Sequence, residues 1–92
     1  MEDIFMCKEK LMDIFDDAQR RGKAFICVKI ETEGNAAPEI IINPEANFEA
    51  KRAYYSKAYS DDLRLIAAKD KVIRIVDALA TSNLNDLNWF AY

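Results

Sequence analysis

Residues 24–32 (AFICVKIET) alternate Ile26, Val28 and Ile30 with Cys27, Lys29 and Glu31. A period of two is what a strand with one buried and one outward face requires. The segment from Glu33 to Ala37 then carries Gly34-Asn35, a turn signal. Pro38 restarts the chain in extended form, and Glu39–Ile42 (EIII) is a short β-branched run. Consecutive strands usually pair, so the economical reading is a β-hairpin.

Helical patterns flank this hairpin. Over 2–21, Ile4, Cys7, Leu11, Ile14 and Ala18 recur at spacings of three and four, widened by Phe5, Met12 and Phe15. Glu2 and Asp3 at the start and Arg20 and Arg21 at the end suit the helix dipole, and Gly22 is a C-terminal cap candidate. After the hairpin, Asn43-Pro44 reads as a helix start, with Asn as cap and Pro at the first helical position. That helix runs to about Ser60, with Phe48, Tyr55 and Tyr59 turned inward beside Ala58.

The stretch from Asp62 to Ala80 supports two readings. Leu63, Ile66, Ile73, Val76 and Ala80 fit a loose helical stripe. Against it, Leu63-Arg64-Leu65 and Ile73-Arg74-Ile75 alternate, and Val72, Ile73, Ile75 and Val76 are β-branched neighbours. Two strands, 62–68 and 72–79, are preferred, turning at Ala68-Lys69-Asp70-Lys71. Thr81-Ser82 offers a cap for a short terminal helix over 83–92. The expected fold class is α+β in the order α-β-β-α-β-β-α: an antiparallel four-stranded sheet with helices packed on one face, in a single domain over 1–92.

The chain's 92 residues are enough for one core, though a marginal one. A hydrophobic content of 51% with ten aromatic residues supplies it, and the scarcity of Gly and Pro argues against low complexity. The net charge of −3, mixed along the chain, gives no general pull toward phosphate. It leaves room for a local basic patch. No apolar run approaches the roughly 20 residues that cross a bilayer. Acids at Glu2 and Asp3 stand where a signal peptide has basic residues. A cytoplasmic protein without membrane contact is expected.

Catalytic signatures fail one by one. The sequence has no histidine, hence no Ser-His-Asp or Cys-His pair. It has neither a GxxxxGK[ST] nor a GxGxxG loop. Cys7 and Cys27 are too few for a four-ligand zinc site and read as buried thiols. The acids Asp13, Asp16 and Asp17 lack the glycine and ligand spacing of a calcium loop and read as a solvated face. No enzyme, metal or cofactor is expected.

Two surfaces stand out. Lys51, Arg52, Tyr54 and Lys57 interleave cations with aromatic rings, and Arg64 and Arg74 are expected to project from the neighbouring strands. Such a surface stacks bases and neutralises phosphates, or docks a protein through Tyr and Arg. Tyr54 points about 100° away from Tyr55 on a helix, which makes it the exposed contact of the two. At the C-terminus, Trp89, Phe90 and Tyr92 either fold back on the core or form a self-association surface, and a homodimer is one expectation.

The stretch PEIIINPEANFEAKRAYYSKAYSDDLRL, from Pro38 to Leu65, resembles small uncharacterised proteins carried by phages and prophages of Gram-positive bacteria. The resemblance implies an accessory role. Many phage proteins of this size bind a host protein, a nucleic acid or a signalling nucleotide, and some block bacterial immunity, as anti-CRISPR proteins do. The leading expectation is a non-enzymatic protein that occupies the surface of a host protein, such as a defence inhibitor. The alternative is a nucleic-acid or nucleotide binder using the 51–74 surface.

Overall fold

The hairpin forms as its alternation dictates. A computed structural model describes residues 6–91. Strand β1 (Phe25–Thr32) pairs antiparallel with β2 (Glu39–Pro44), and the turn between them closes with the Asn35 amide on the Thr32 carbonyl. A third strand, β3 (Ile73–Thr81), lies antiparallel on the other side of β1, so the sheet order is β2-β1-β3. Helix α1 (Lys8–Arg20) precedes the hairpin and α2 (Phe48–Ala58) follows it through a 3-10 turn at Glu45–Asn47. A second 3-10 turn, Leu84–Asp86, leads into the single-turn helix α3 (Leu87–Phe90).

The sheet therefore has three strands, and the element order is α-β-β-α-β-α. The expected strand over 62–68 does not form. Only two isolated bridges remain there, Tyr59 with Leu65 and Arg64 with Arg74. The cause is a tight turn at its start. The Leu63 amide donates to the Ser60 carbonyl at 2.8 Å, and the Arg64 amide donates to the Ser60 hydroxyl at 3.2 Å. Leu63 itself is left-handed, at φ 62°. A strand cannot run through that conformation. Leu63 is nonetheless fully buried, so the turn drives this side chain into the core.

Two helix boundaries also differ from expectation. Cys7 has extended backbone, so α1 begins at Lys8; residues 2–5 lie outside the described residues. Asn43 does not cap α2. It is buried in β2, and its amide donates to the Ile26 carbonyl at 3.2 Å and to the Tyr55 hydroxyl at 3.3 Å. Pro44 stays extended at ψ 161°, which delays the helix to Phe48.

The core lies between the sheet and two helices. Ile26, Val28 and Ile30 of β1 join Leu11, Phe15 and Ala18 of α1 and Phe48 and Tyr55 of α2, with Tyr59 and Leu63. Phe15 meets Phe48 edge-on at 5.9 Å between ring centres and Tyr55 at 6.0 Å. In β3 the register slips: Lys29 pairs with Asp77 but Ile30 with Ile75, leaving Val76 as an extra residue. That bulge resets the parity, so Ile73, Ala78 and Ala80 all pack on the core together with Ile75. Opposite charges meet across the ladder, Lys29 facing Asp77 and Glu31 facing Arg74.

The helices do not all share one face. Cys27 is fully buried yet stands outside the main core, because it points to the other side of β1 from Ile26 and Val28. Phe90 of α3 is buried there too, its ring 5.0 Å from the Lys29 ammonium. The Thr81 hydroxyl donates to the Asp86 carboxylate at 2.6 Å, and the Asn83 side chain caps the turn by accepting from the Asn85 amide. These bonds hold α3 against the face opposite α1 and α2, and Asn83 takes the capping role expected of Thr81-Ser82.

Leu63 offers a test of the turn. Leu63→Ala should lower unfolding free energy by about 2–5 kcal/mol, the usual range for a buried leucine. Leu63→Gly should be no worse than the alanine, because glycine escapes a left-handed penalty of about 1–2 kcal/mol. Urea unfolding of both variants checks this. A glycine variant clearly less stable than the alanine variant would contradict the turn.

Candidate interaction surfaces

The structure divides the six expected binding residues into separate groups. Lys51, Arg52, Tyr54 and Lys57 are on α2, whereas Arg64 and Arg74 meet beyond the Ser60–Leu63 turn. Arg52 is engaged: its Nε and Nη2 donate to Asp16 Oδ1 at 2.8 Å and Oδ2 at 3.0 Å. This two-pronged contact ties α2 to α1. Arg64 Nε lies 3.3 Å from Asp62 Oδ2, and Arg74 Nε donates to the Asp62 carbonyl at 3.4 Å. Asp62 is held below the usual carboxylate range by the Ser60 hydroxyl first, with Arg64 and Arg74 adding to it. Arg64, Arg74, Asp61, Asp62, Met6 and Cys7 line a surface depression of about 390 Å³.

On α2, one stripe remains outward. Lys51, Tyr54 and Lys57 recur every three residues and so share a side of the helix. The Lys51 ammonium is 5.4 Å from the centre of the Tyr54 ring. Tyr54 is 47% exposed, and its ring stands edge-on to Tyr55 at 5.3 Å and to Tyr59 at 6.3 Å. Tyr55 and Tyr59 are core residues, as their spacing predicts. Burial pushes the Tyr59 hydroxyl up to about 12, with Tyr54, Tyr55 and Glu39 adding repulsion. Burial raises Tyr55 as well, and its hydrogen bond with Asn43 partly offsets the rise.

Two of the three aspartates on the polar side of α1 are paired within the chain. Asp17 pairs with Arg20 and with Arg21, and Asp16 with Arg52. Among the described residues no group of three or more His, Cys, Asp or Glu side chains is placed to hold a metal ion. Cys27 is a buried free thiol, its ionisation pushed up by burial and then by Asp86; Cys7 is a half-buried free thiol.

The C-terminal aromatics separate. Trp89 is 60% exposed, while Phe90 beneath it is buried, so Phe90 belongs to the chain's own packing and not to an outer contact. The two rings meet edge-on at 6.1 Å. Tyr92 lies outside the described residues. Ile42, opposite Cys27 in the ladder, is on the same side of the sheet as α3 and is 41% exposed. Leu84, in the turn before α3, is also exposed. Nothing in the sequence marked Ile42 as outward, because three consecutive isoleucines do not reveal which of them faces the core.

Comparison with protein-family models, curated proteins and solved structures finds no match. Among the described residues, no helix is long and apolar enough to cross a membrane.

The tyrosine shifts carry a pH dependence. An unfolded tyrosine ionises near 10, whereas folded Tyr59 holds its proton to about 12. The native state thus binds more protons between these values, and its stability should fall as pH rises from about 10 to about 12. Below 10 this contribution is fully present. Chemical unfolding across that range should show the fall, and Tyr59→Phe should flatten it.

Proposed function

We propose that the chain is a small non-enzymatic binding protein that acts by occupying the surface of a partner protein, with Trp89 at the centre of the contact. The observation that carries this reading is a large aromatic ring, 60% exposed, braced edge-on against buried Phe90. Trp is the residue type most enriched among interface hot spots, and a ring already held in place loses little entropy on binding. Ile42 on the same side of the sheet and Leu84 in the turn before α3 are also exposed large apolar side chains. The resemblance of Pro38–Leu65 to phage and prophage proteins suggests a host protein as the partner, and inhibition of a host defence system as the outcome.

The nucleic-acid reading has narrower support. Arg52 and Arg64 are each answered by a carboxylate, which leaves Lys51, Tyr54 and Lys57 as its strongest stripe. Phosphate contacts through two lysines would weaken steeply as salt rises.

Affinity capture from a Gram-positive host lysate tests the proposal, run in parallel with the native chain and Trp89→Ala. A partner held by the native chain and lost by about tenfold or more in Trp89→Ala, the scale of a hot-spot truncation, is the expected result. Capture that ignores Trp89, or that disappears on nuclease treatment, would contradict it.

A further inference from the structure

Strand β2 is the edge of the sheet, and its outer side meets no other element among the described residues. The ladder fixes which groups point outward. The Glu45 amide donates to the Ala24 carbonyl, and in the same register Asn43 pairs with Ile26, Ile41 with Val28 and Glu39 with Ile30. Hydrogen-bonded pairs alternate along an antiparallel ladder. The odd-numbered residues of β2 therefore bond to β1, and Ile40 and Ile42 present N–H and C=O to the open side. Pro38 and Pro44 share the outward parity, where a missing N–H leaves no gap in the β1 ladder. Exposed edges are commonly blunted by a lysine, a proline, an inward charge or a bulge; here the two prolines bound the edge and leave the backbone of Ile40 and Ile42 between them open. Glu39–Pro44 carries no lysine, and its pairing with β1 is unbroken.

The flank of α2 overhangs this edge. Arg52 marks the side that faces α1, through Asp16. At about 100° per residue, Tyr54 lies roughly 160° around the helix from Arg52, and Lys51 lies between Tyr54 and the core. Tyr55 sits at Asn43, and Tyr59 feels the charge of Glu39. Helix α2 thus runs antiparallel above β2, with Lys51 toward the Asn43 end.

We propose that β2 pairs with β2 of a second copy, antiparallel about a two-fold axis through Ile41, to form one continuous sheet. In this register Ile40 and Ile42 exchange backbone hydrogen bonds with Ile42 and Ile40 of the second copy. Ile41 meets Ile41, and Glu39 faces Asn43. Because Lys51 lies toward the Asn43 end, each Lys51 comes close to Glu39 of the other copy, giving two symmetry-related ion pairs. A register centred on Ile42 would instead set Glu39 against Glu45, like charge against like. The contact uses the same patch on both chains, as a closed two-fold dimer requires. Tyr54 and Ala58 of the two α2 helices then cover the junction. Ile42 borders both surfaces, but Trp89 belongs only to the partner contact and Lys51 and Glu39 only to the paired edge, so dimer formation and partner capture can fail independently.

Sedimentation equilibrium and light scattering of the full chain test this. The native chain should be a concentration-dependent dimer. Ile42→Lys, at an exposed position, should leave a folded monomer by circular dichroism. Lys51→Glu and Glu39→Lys should each weaken the dimer by about tenfold or more, and an equimolar mixture of the two variants should recover it, since both cross-axis pairs then become complementary. Trp89→Ala should remain dimeric. A strict monomer at high concentration would overturn the proposal, including the case in which a strand of another protein occupies the edge. So would a dimer indifferent to Ile42→Lys, one indifferent to either charge reversal, one that the mixture fails to recover, or one lost in Trp89→Ala.

Discussion

Everything in this molecule is arranged around a strand buried on both faces. On one side of β1, Ile26, Val28 and Ile30 lie under α1 and α2; on the other, Cys27 is sealed on the side where Phe90 packs. Its edges are taken by β2 and β3. A chain of 92 residues has little surplus burial, so a central strand that buries Ile26, Cys27, Val28 and Ile30 is an efficient use of its apolar residues. The aromatic ring contacts of Phe15 with Phe48 and Tyr55 add about 0.5–1.5 kcal/mol each beyond area. Among the described residues Asn43 and Thr81 are the buried polar side chains, and Asn43 is satisfied by Ile26 and Tyr55.

Enclosing β1 leaves the outer strands and the rims to face the surroundings. Helix α3 is a single turn, long enough for Phe90 to be buried but not for the whole sheet face. Ile42 and Trp89 stay outside as a result. On the opposite layer, Arg52 is drawn to Asp16 and Arg64 to Asp62, so two cations of the candidate basic surface are held by the chain's own acids. The outside is mostly charged, and the large apolar side chains left on it are few, with Trp89 the most open of them.

The parts legible in the sequence are those where one periodicity had no competitor. The hairpin follows from Ile26, Val28 and Ile30 and from Gly34-Asn35. Phe48, Tyr55 and Tyr59 were placed inward by their spacing, and Tyr54 outward by the same rule. The region after Ser60 was not legible, because its alternation is overridden by local hydrogen bonds of Ser60 and by a left-handed Leu63. The bulge at Val76 is equally silent in sequence, since Ile73, Ile75, Ala78 and Ala80 share a face only once the register slips. Asn43-Pro44 carries every mark of a helix start, yet the buried amide and extended proline serve the strand. Among the candidate binding residues on α2, the sequence had no means of showing that Asp16, thirty-six positions away, claims Arg52.

Native-state amide hydrogen exchange measures the dependence on β1 most directly. The amides of Ile26, Val28 and Ile30 should exchange only when the whole molecule unfolds, at the free energy obtained from denaturant titration. Those of residues 69–71, outside the sheet, should exchange through far cheaper local openings. Equal protection of 69–71 and β1, or β1 amides that exchange well before global unfolding, would contradict a molecule organised around that strand.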